Sequence, residues 1–206
     1  MSILEKWSGL LGGLVAVVLL VVIWQLLGEE ENLEARDSRG RTPLIVAAEE
    51  GNADRVRDLL GRGARIDAGD DCNWTAMMRA AARGHTDILS YLLDQGAAID
   101  HTEKTGYTAL MGAVINNRPE AVAILLERGA DTDLQEAEKG QTALMMAVRN
   151  RDPELVRQLL AAGADTGIRN DRGETVKELA PPANGQAGDV AIRQLLECEP
   201  GADGRQ

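Results

Sequence analysis

The chain opens on a stretch with almost no polar positions. From Leu10 to Ile23 every residue is apolar or glycine, and Trp24, Leu26 and Leu27 continue the run past a single Gln25. At about 1.5 Å per residue this stretch reaches roughly 27 Å, close to the thickness of a bilayer's hydrocarbon core. A helix of a soluble core would show polar positions every third or fourth residue. The pattern therefore predicts one transmembrane helix over 9–27, after a short tail 1–8, with Trp7 and Trp24 near its ends where indole rings favour the membrane interface. A cleaved signal would end in small residues of the A-x-A kind. Here Gly28 follows Leu26 and Leu27, so a retained anchor is the better reading.

Lys6 precedes the apolar run and Glu29, Glu30 and Glu31 follow it, which favours an extracytoplasmic body, although Arg36, Arg39 and Arg41 also lie near the exit. The expected location is the inner (plasma) membrane, single-pass, with a periplasmic body; a cytoplasmic body is the alternative topology. Gly9 and Gly13 form a G-x-x-x-G, and Gly12 with Ala16 a second small pair, the pattern that lets two such helices approach as a dimer. A short acidic linker, 28–32, leads to the rest of the chain.

After the linker the pattern becomes periodic. "GRTPLIVAAEEG" (40–51), "NWTAMMRAAARG" (73–84), "GYTALMGAVINN" (106–117) and "GQTALMMAVRNR" (140–151) align, with Thr42, Thr75, Thr108 and Thr142 spaced 33, 33 and 34 residues apart. A second landmark follows each in step: "LLGRGA", "LLDQGA", "LLERGA" and "LLAAGA". Each mark has a physical reason. Threonine caps a helix by accepting a hydrogen bond from an unpaired backbone N–H. Pro43 suits the first helical position, where its missing N–H costs nothing. Ala47, Ala80, Ala113 and Ala147 keep one helix face small, so a neighbour can come close. A second helix is predicted to start near Asn52, Thr86, Pro119 and Pro153 and to bury its Leu pair, with Gly63, Gly96, Gly129 and Gly163 ending it in a left-handed turn. Such a unit cannot bury its apolar faces alone, but stacked copies can.

The period of 33 and the T-P-L-x-x-A core resemble the ankyrin repeat. The resemblance spans 33–197 and implies an all-α ankyrin-repeat solenoid: four full repeats (about 37–69, 70–102, 103–136 and 137–169) and a C-terminal capping repeat over 170–197. "LEARDSRGRTPL" supplies the lead-in, and 198–206 reads as a flexible tail. In the cap, Thr175 is kept, Lys177 and Glu178 stand where other units are apolar, and Pro181–Pro182 precede a final helix from about Asp189 that carries Ile192, Leu195 and Leu196.

The chain departs from the family in three respects. The family histidine after T-P-L is replaced by Ile45, Met78, Met111 and Met145, which fill the space by packing. The link glycine, present at Gly51 and Gly84, becomes Asn117 and Arg151. No separate N-terminal capping unit precedes the first repeat, so its apolar side needs cover from the lead-in, the membrane surface, a second copy or a partner.

Composition narrows the function. The net charge of −11 disfavours nucleic acid, whose recognition needs a clustered basic surface. Two cysteines, Cys72 and Cys198, do not make a disulfide framework. His85 and His101 have no serine or cysteine partner at a recognisable spacing, and there is no C-x-x-C, H-E-x-x-H or phosphate-cradling loop. No catalytic, metal or cofactor-binding residue is assigned, and the chain reads as a non-enzyme. The acidic residues read as turn and surface positions.

What remains is a binding surface. The resemblance implies that the turn tips and first helices form a concave face for a protein partner. The tip residues are Arg41, Trp74, Tyr107 and Gln141, and consecutive repeats would set Trp74 beside Tyr107. Trp and Tyr favour interface hot spots. Arg39, Glu49, Glu50, Arg83, Arg149 and Asn150 are placed on the same face. The expected function is a membrane-tethered protein-binding scaffold or regulator. The alternatives are a structural module dimerising through Gly9 and Gly13, and a periplasmic accessory or immunity protein for an enzyme or effector, a role the resemblance implies for some bacterial members.

Overall fold

A computed structural model describes residues 32–182 and 186–197. The chain divides into two compact units, Met1–Leu33 and Glu34–Gln206. The predicted anchor over 9–27, its dimer pair Gly9 and Gly13, nearly all of the acidic linker and Cys198 lie outside the described residues. Among the described residues no helix is long and apolar enough to cross a membrane.

The second unit is helical, with no strand among its described residues. Its helices are α1 (Pro43–Glu50), α2 (Ala53–Gly61), α3 (Ala76–Arg83), α4 (Thr86–Asp94), α5 (Ala109–Ile115), α6 (Pro119–Glu127), α7 (Ala143–Arg149), α8 (Pro153–Ala161), α9 (Val176–Leu179) and α10 (Ala187–Glu197). Odd-numbered helices pack side by side as an inner row, and even-numbered ones form an outer row behind them. The residues between the two rows are the core. Ala47, Ala80, Ala113 and Ala147 lie there, as do Ile45, Met78, Met111 and Met145, all fully shielded. The substituted histidine positions are thus packing positions, as expected.

The predicted caps are present. The Oγ1 atoms of Thr42, Thr75, Thr108 and Thr142 accept from the backbone N–H of Ile45, Met78, Met111 and Met145 at 3.3–3.4 Å. The link between helices uses positive φ throughout: Gly51 at 78° and Gly84 at 80°, then Asn117 at 51° and Arg151 at 56°. Without the glycine, α5 and α7 end one residue earlier, at Ile115 and Arg149, with Asn116 and Asn150 as their C-caps. The glycine at 51 is also steric. A Cβ there would lie 2.7 Å from the His85 ring, whose Nε2 sits 3.2 Å from the Glu49 carbonyl and ties one helix pair to the next.

Two expectations need correction. The Leu pairs are not buried as pairs: Leu59, Leu92, Leu125 and Leu159 are fully buried, while Leu60, Leu93, Leu126 and Leu160 are half-buried. Adjacent residues on a helix point about 100° apart, so only one of the two faces the inner row. The last helix begins at Ala187, not near Asp189. Asp189 therefore lies inside the first turn, 1% exposed, with Arg151 Nε 3.6 Å from its carboxylate.

Adjacent units are also stitched by polar groups. Side-chain oxygens of Glu34, Asp67, Asp100 and Asp133 accept from the backbone N–H of Arg65, Ala98, Asp131 and Asp165, one unit on. At the turn tips, Lys104 N donates to Cys72 O, Ala137 N to Thr105 O and Asp171 N to Lys139 O at 2.8–3.0 Å. These bonds fix the rise between units and hold the tips in one line. The lead-in joins the same scheme: Arg36 donates to the carbonyls of Gly40 and Gly69.

Candidate functional site

Each turn tip is built around one side-chain acceptor, which is buried at every tip but the first, where Asp37 is exposed. Asp70 Oδ1 accepts from Cys72 N and Trp74 N, each at 2.9 Å. Asp37, Glu103 and Asn170 repeat the scheme with Arg39 and Arg41, Thr105 and Tyr107, and Arg172 and Glu174. Glu136 extends it. Its carboxylate accepts from the N–H groups of Glu138, Lys139 and Gln141. This turn holds one residue more than the others, which accounts for the 34-residue spacing from Thr108 to Thr142. Both carboxylate oxygens of Glu136 take part, Oε2 with Glu138 and Oε1 with Gln141, so the extra N–H is also served. Buried acceptors of this kind correct the sequence reading of the acidic residues as surface positions: Asp70, Glu103 and Glu136 are all buried.

The predicted partner-binding residues fall into three groups. Arg39, Glu50, Arg83, Arg149 and Asn150 are exposed. Arg41, Glu49, Trp74 and Tyr107 are half-buried. Gln141 is only 7% exposed, so its placement as a contact residue is corrected. Its N–H donates to Glu136 and its side-chain oxygen accepts from Arg149 at 2.5 Å, which turns it inward. Glu49 is likewise engaged: it accepts from Arg41 at 2.5 Å and from Arg83 at 2.7 Å, leaving its side chain 10% exposed. Asn150 is exposed but structural in part, its Nδ2 donating to the Val114 carbonyl of the preceding unit.

Electrostatics follow from this network. Burial raises the Glu49 carboxyl, but the hydrogen bonds from Arg83 and Arg41 and the charge of Arg79 outweigh it and hold the group below its ordinary value of 4.5. Asp37 is held at about 2, first by its side-chain bond with Arg41 and then by the backbone N–H groups of Arg41 and Arg39. Both shifts are downward, so the stability they contribute is complete above the unfolded-state values and lost as pH falls through the folded ones. The thermal midpoint is expected to be flat from pH 7 to 5 and to fall between the ordinary carboxylate values of 3.8–4.5 and about 2. Calorimetry across that range checks it, and a midpoint insensitive to pH below 4 contradicts it. Burial is the first cause of the upward shift of the Tyr107 hydroxyl, followed by the charges of Glu136 and Glu138.

Sequence reasoning missed the centre of the face. The Trp74 ring edge lies 3.7 Å from where a Cβ on Gly112 would stand, and Ala82 Cβ is equally near. Arg79 stacks on the Trp74 ring at 4.6 Å and donates to Asp70 Oδ2 at 2.7 Å. Asp70 thus anchors both the Trp74 backbone and the cation on its ring. One turn along α5 from Gly112 is Ile115, 46% exposed and the one large hydrophobic side chain exposed among the described residues. The indole thus covers the buried Gly112, and Ile115 stands exposed one turn further on. The signal was legible only by column. Four residues after each capping Thr stand Val46, Arg79, Gly112 and Met146, and seven after it Glu49, Ala82, Ile115 and Arg149. One unit alone carries both a gap and an aliphatic side chain there.

A methyl at position 112 meets only ordinary contacts, and glycine within a helix costs about 1 kcal/mol relative to alanine. Gly112→Ala is therefore expected to stabilise the protein by roughly 1 kcal/mol, read as a higher urea midpoint. An unchanged or lowered midpoint counts against this packing.

Toward the C-terminal end of the row lies an open cleft of about 430 Å³, lined by Lys139, Gln141, Arg149, Asp171, Glu174 and Leu179 among others. Its charges are of both signs. No cluster of three or more metal-ligating side chains occurs among the described residues.

Comparison with known families is decisive for the fold. The model of ankyrin repeats in three copies matches residues 49–136 and again 97–170, together more than half of the chain. The chain belongs to the ankyrin-repeat family. No curated protein matches the sequence. Ankyrin repeats are scaffolds for protein–protein interaction and as a class are binding modules rather than catalysts, which agrees with the inner-helix face described above.

Proposed function

We propose that this ankyrin-repeat chain is a non-enzymatic, membrane-tethered scaffold or regulator that captures another protein on the inner-helix face. Four full repeats and a capping unit present that face, the N-terminal helix anchors it in the inner membrane, and the repeats face the periplasm. The observation that carries the reading is Trp74, held from two sides by Asp70 and Arg79 above the Gly112 floor. A side chain fixed before binding loses little rotamer entropy in the complex, and a rigid indole is a typical hot spot.

Affinity capture of the full chain from cross-linked membranes tests the reading. A protein retained by the wild type is expected to be lost with Trp74→Ala plus Tyr107→Ala, provided circular dichroism shows the variant folded. The same proteins retained by both chains would overturn it. A periplasm-dependent phosphatase fused after Gln206 tests the topology, and an inactive reporter on a stable fusion places the repeats in the cytoplasm. The rival structural reading, with Gly9 and Gly13 as a dimer seam, predicts that changing both to Ile abolishes function while partner capture persists. A role as periplasmic immunity or accessory protein for an effector or enzyme is the other alternative, and it rests on the resemblance to bacterial members of the family.

A further inference from the structure

We infer that the cleft between the last full repeat and the capping unit is a subsite of the inner-helix face that takes a tyrosine side chain of the partner. This rests on the inner-helix face being the binding surface, and it names one side chain that the surface reads.

The cleft is the place of a ring the chain itself omits. Trp74, one residue before its capping Thr75, lays its indole across Gly112, four residues after Thr108 in the next unit. Gln141 and Leu179 hold the same two positions at the end of the row, one before Thr142 and four after Thr175. Both line the cleft of about 430 Å³, so the space that an indole fills between the earlier units stays open here. The inner row is also cut short, since α9 has 4 residues where α7 has 7. Leu179 ends α9 half-buried and supplies an apolar floor. Ligand pockets run from roughly 300 to 1,000 Å³, so this one is small, yet ample for a single ring.

The walls decide which ring fits. Gln141 is turned away from the exposed tip, and what it turns toward is this cleft. A guanidinium can only donate, so the bond from Arg149 fixes Oε1 on that side and leaves the Nε2 group facing the other way. In a residue only 7% exposed, Nε2 has no acceptor among the described residues, yet it is not sealed from solvent. Its counterpart in the first repeat has nothing to spare, because Arg41 spends its guanidinium on Asp37 and Glu49. An oxygen on the occupant satisfies Gln141. Glu174, from the capping tip, accepts from Asn170 through one oxygen and keeps the other for a hydroxyl proton. The formal charges of the lining balance, Lys139, Arg149 and Arg172 against Glu138, Asp171 and Glu174, so neither an acidic nor a basic side chain gains net attraction. A phenol is neutral and planar, and it accepts and donates through one oxygen. Its ring rests on Leu179, with guanidinium groups beside it that can stack as Arg79 does on Trp74.

Nuclear magnetic resonance titration of the isotope-labelled full chain tests this, with N-acetyl-tyrosinamide and its phenylalanine, glutamate and lysine analogues as probes. The tyrosine probe is expected to shift the Gln141 side-chain amide and the backbone amides of Asp171 to Glu174 saturably. It should bind about tenfold more tightly than the phenylalanine probe, the worth of one hydrogen-bonded oxygen. Neither charged probe should saturate. Gln141→Leu keeps the volume and removes the donor, so the tyrosine probe should fall to the level of phenylalanine. Leu179→Trp fills the cleft from within and should abolish binding of both, with circular dichroism showing the variant folded. No saturable tyrosine shift, equal affinity for tyrosine and phenylalanine, preference for a charged probe, or a tyrosine preference that survives Gln141→Leu would overturn the inference. So would a captured partner that is lost with Trp74→Ala plus Tyr107→Ala yet retained with Leu179→Trp, a result that leaves the inner-face reading standing. A partner retained by all of these variants overturns both.

Discussion

Glu136→Ala is expected to lower the unfolding free energy by about 3 to 4 kcal/mol, one of the two largest losses for a single substitution in this chain. The carboxylate is 1% exposed and is the acceptor for three backbone N–H groups, those of Glu138, Lys139 and Gln141. Hydrogen bonds to a charged group contribute about 1.5–3 kcal/mol each, and part of that returns when water reaches the opened turn. The damage should spread along the row of tips. Ala137 N donates to Thr105 O and Asp171 N to Lys139 O, so this turn is tied on both sides. Glu136→Gln keeps the shape but presents an NH₂ to one set of N–H donors, and should cost about half as much. Urea denaturation of the full chain measures both losses. A loss below 1 kcal/mol for the alanine variant would mean that the turn holds itself without its acceptor.

Met111→Ala is expected to cost about 3 kcal/mol, from the apolar surface removed and the cavity left behind. Met111 is fully buried on α5, the helix that packs against both α3 and α7. In a repeat array each unit is stabilised chiefly by its neighbours, so a lesion in the middle weakens two interfaces at once. The same truncation at Ile45, on the first inner helix, weakens one and should cost less. A second signature follows. With its central interfaces weakened, the array should unfold in a broader transition, or in two, because the flanking units no longer depend on one another. Circular dichroism against temperature reads both. Equal losses at positions 45 and 111 with a single sharp transition would contradict the nearest-neighbour picture.

Much of this architecture was legible in the sequence because it depends on local chemistry. A threonine in front of an apolar run caps a helix wherever it occurs, and Thr42, Thr75, Thr108 and Thr142 do so through the same oxygen. Glycine after a helix turns left-handed for reasons internal to its backbone, as Gly63, Gly96, Gly129 and Gly163 do. Repetition of those signals identified the family. The 34-residue spacing was visible too, but its reason was not. Only the tertiary structure shows the extra N–H taken up by the second carboxylate oxygen of Glu136.

The candidate site was less legible. Arg39, Glu50, Arg83, Arg149 and Asn150 do lie exposed, yet Gln141 turned inward and Glu49 is held by two arginines. Whether a tip residue faces solvent depends on what the next unit places against it, some 33 residues away. Trp74 shows the same dependence. Its ring rests where Gly112 leaves room and is held in place by Arg79, so an aromatic expected at the tip packs across the next inner helix.

The sequence by itself determined the repeat, the caps, the left-handed links and the apolar helix faces, because propensity and periodicity act over a few residues of contiguous chain. The tertiary structure alone decided which acids are buried acceptors, which tips are free, and that Ile115 stands exposed beside a glycine floor. Those outcomes are set between units, where stacking brings distant residues to within a few ångströms and each side chain competes for the space its neighbour leaves.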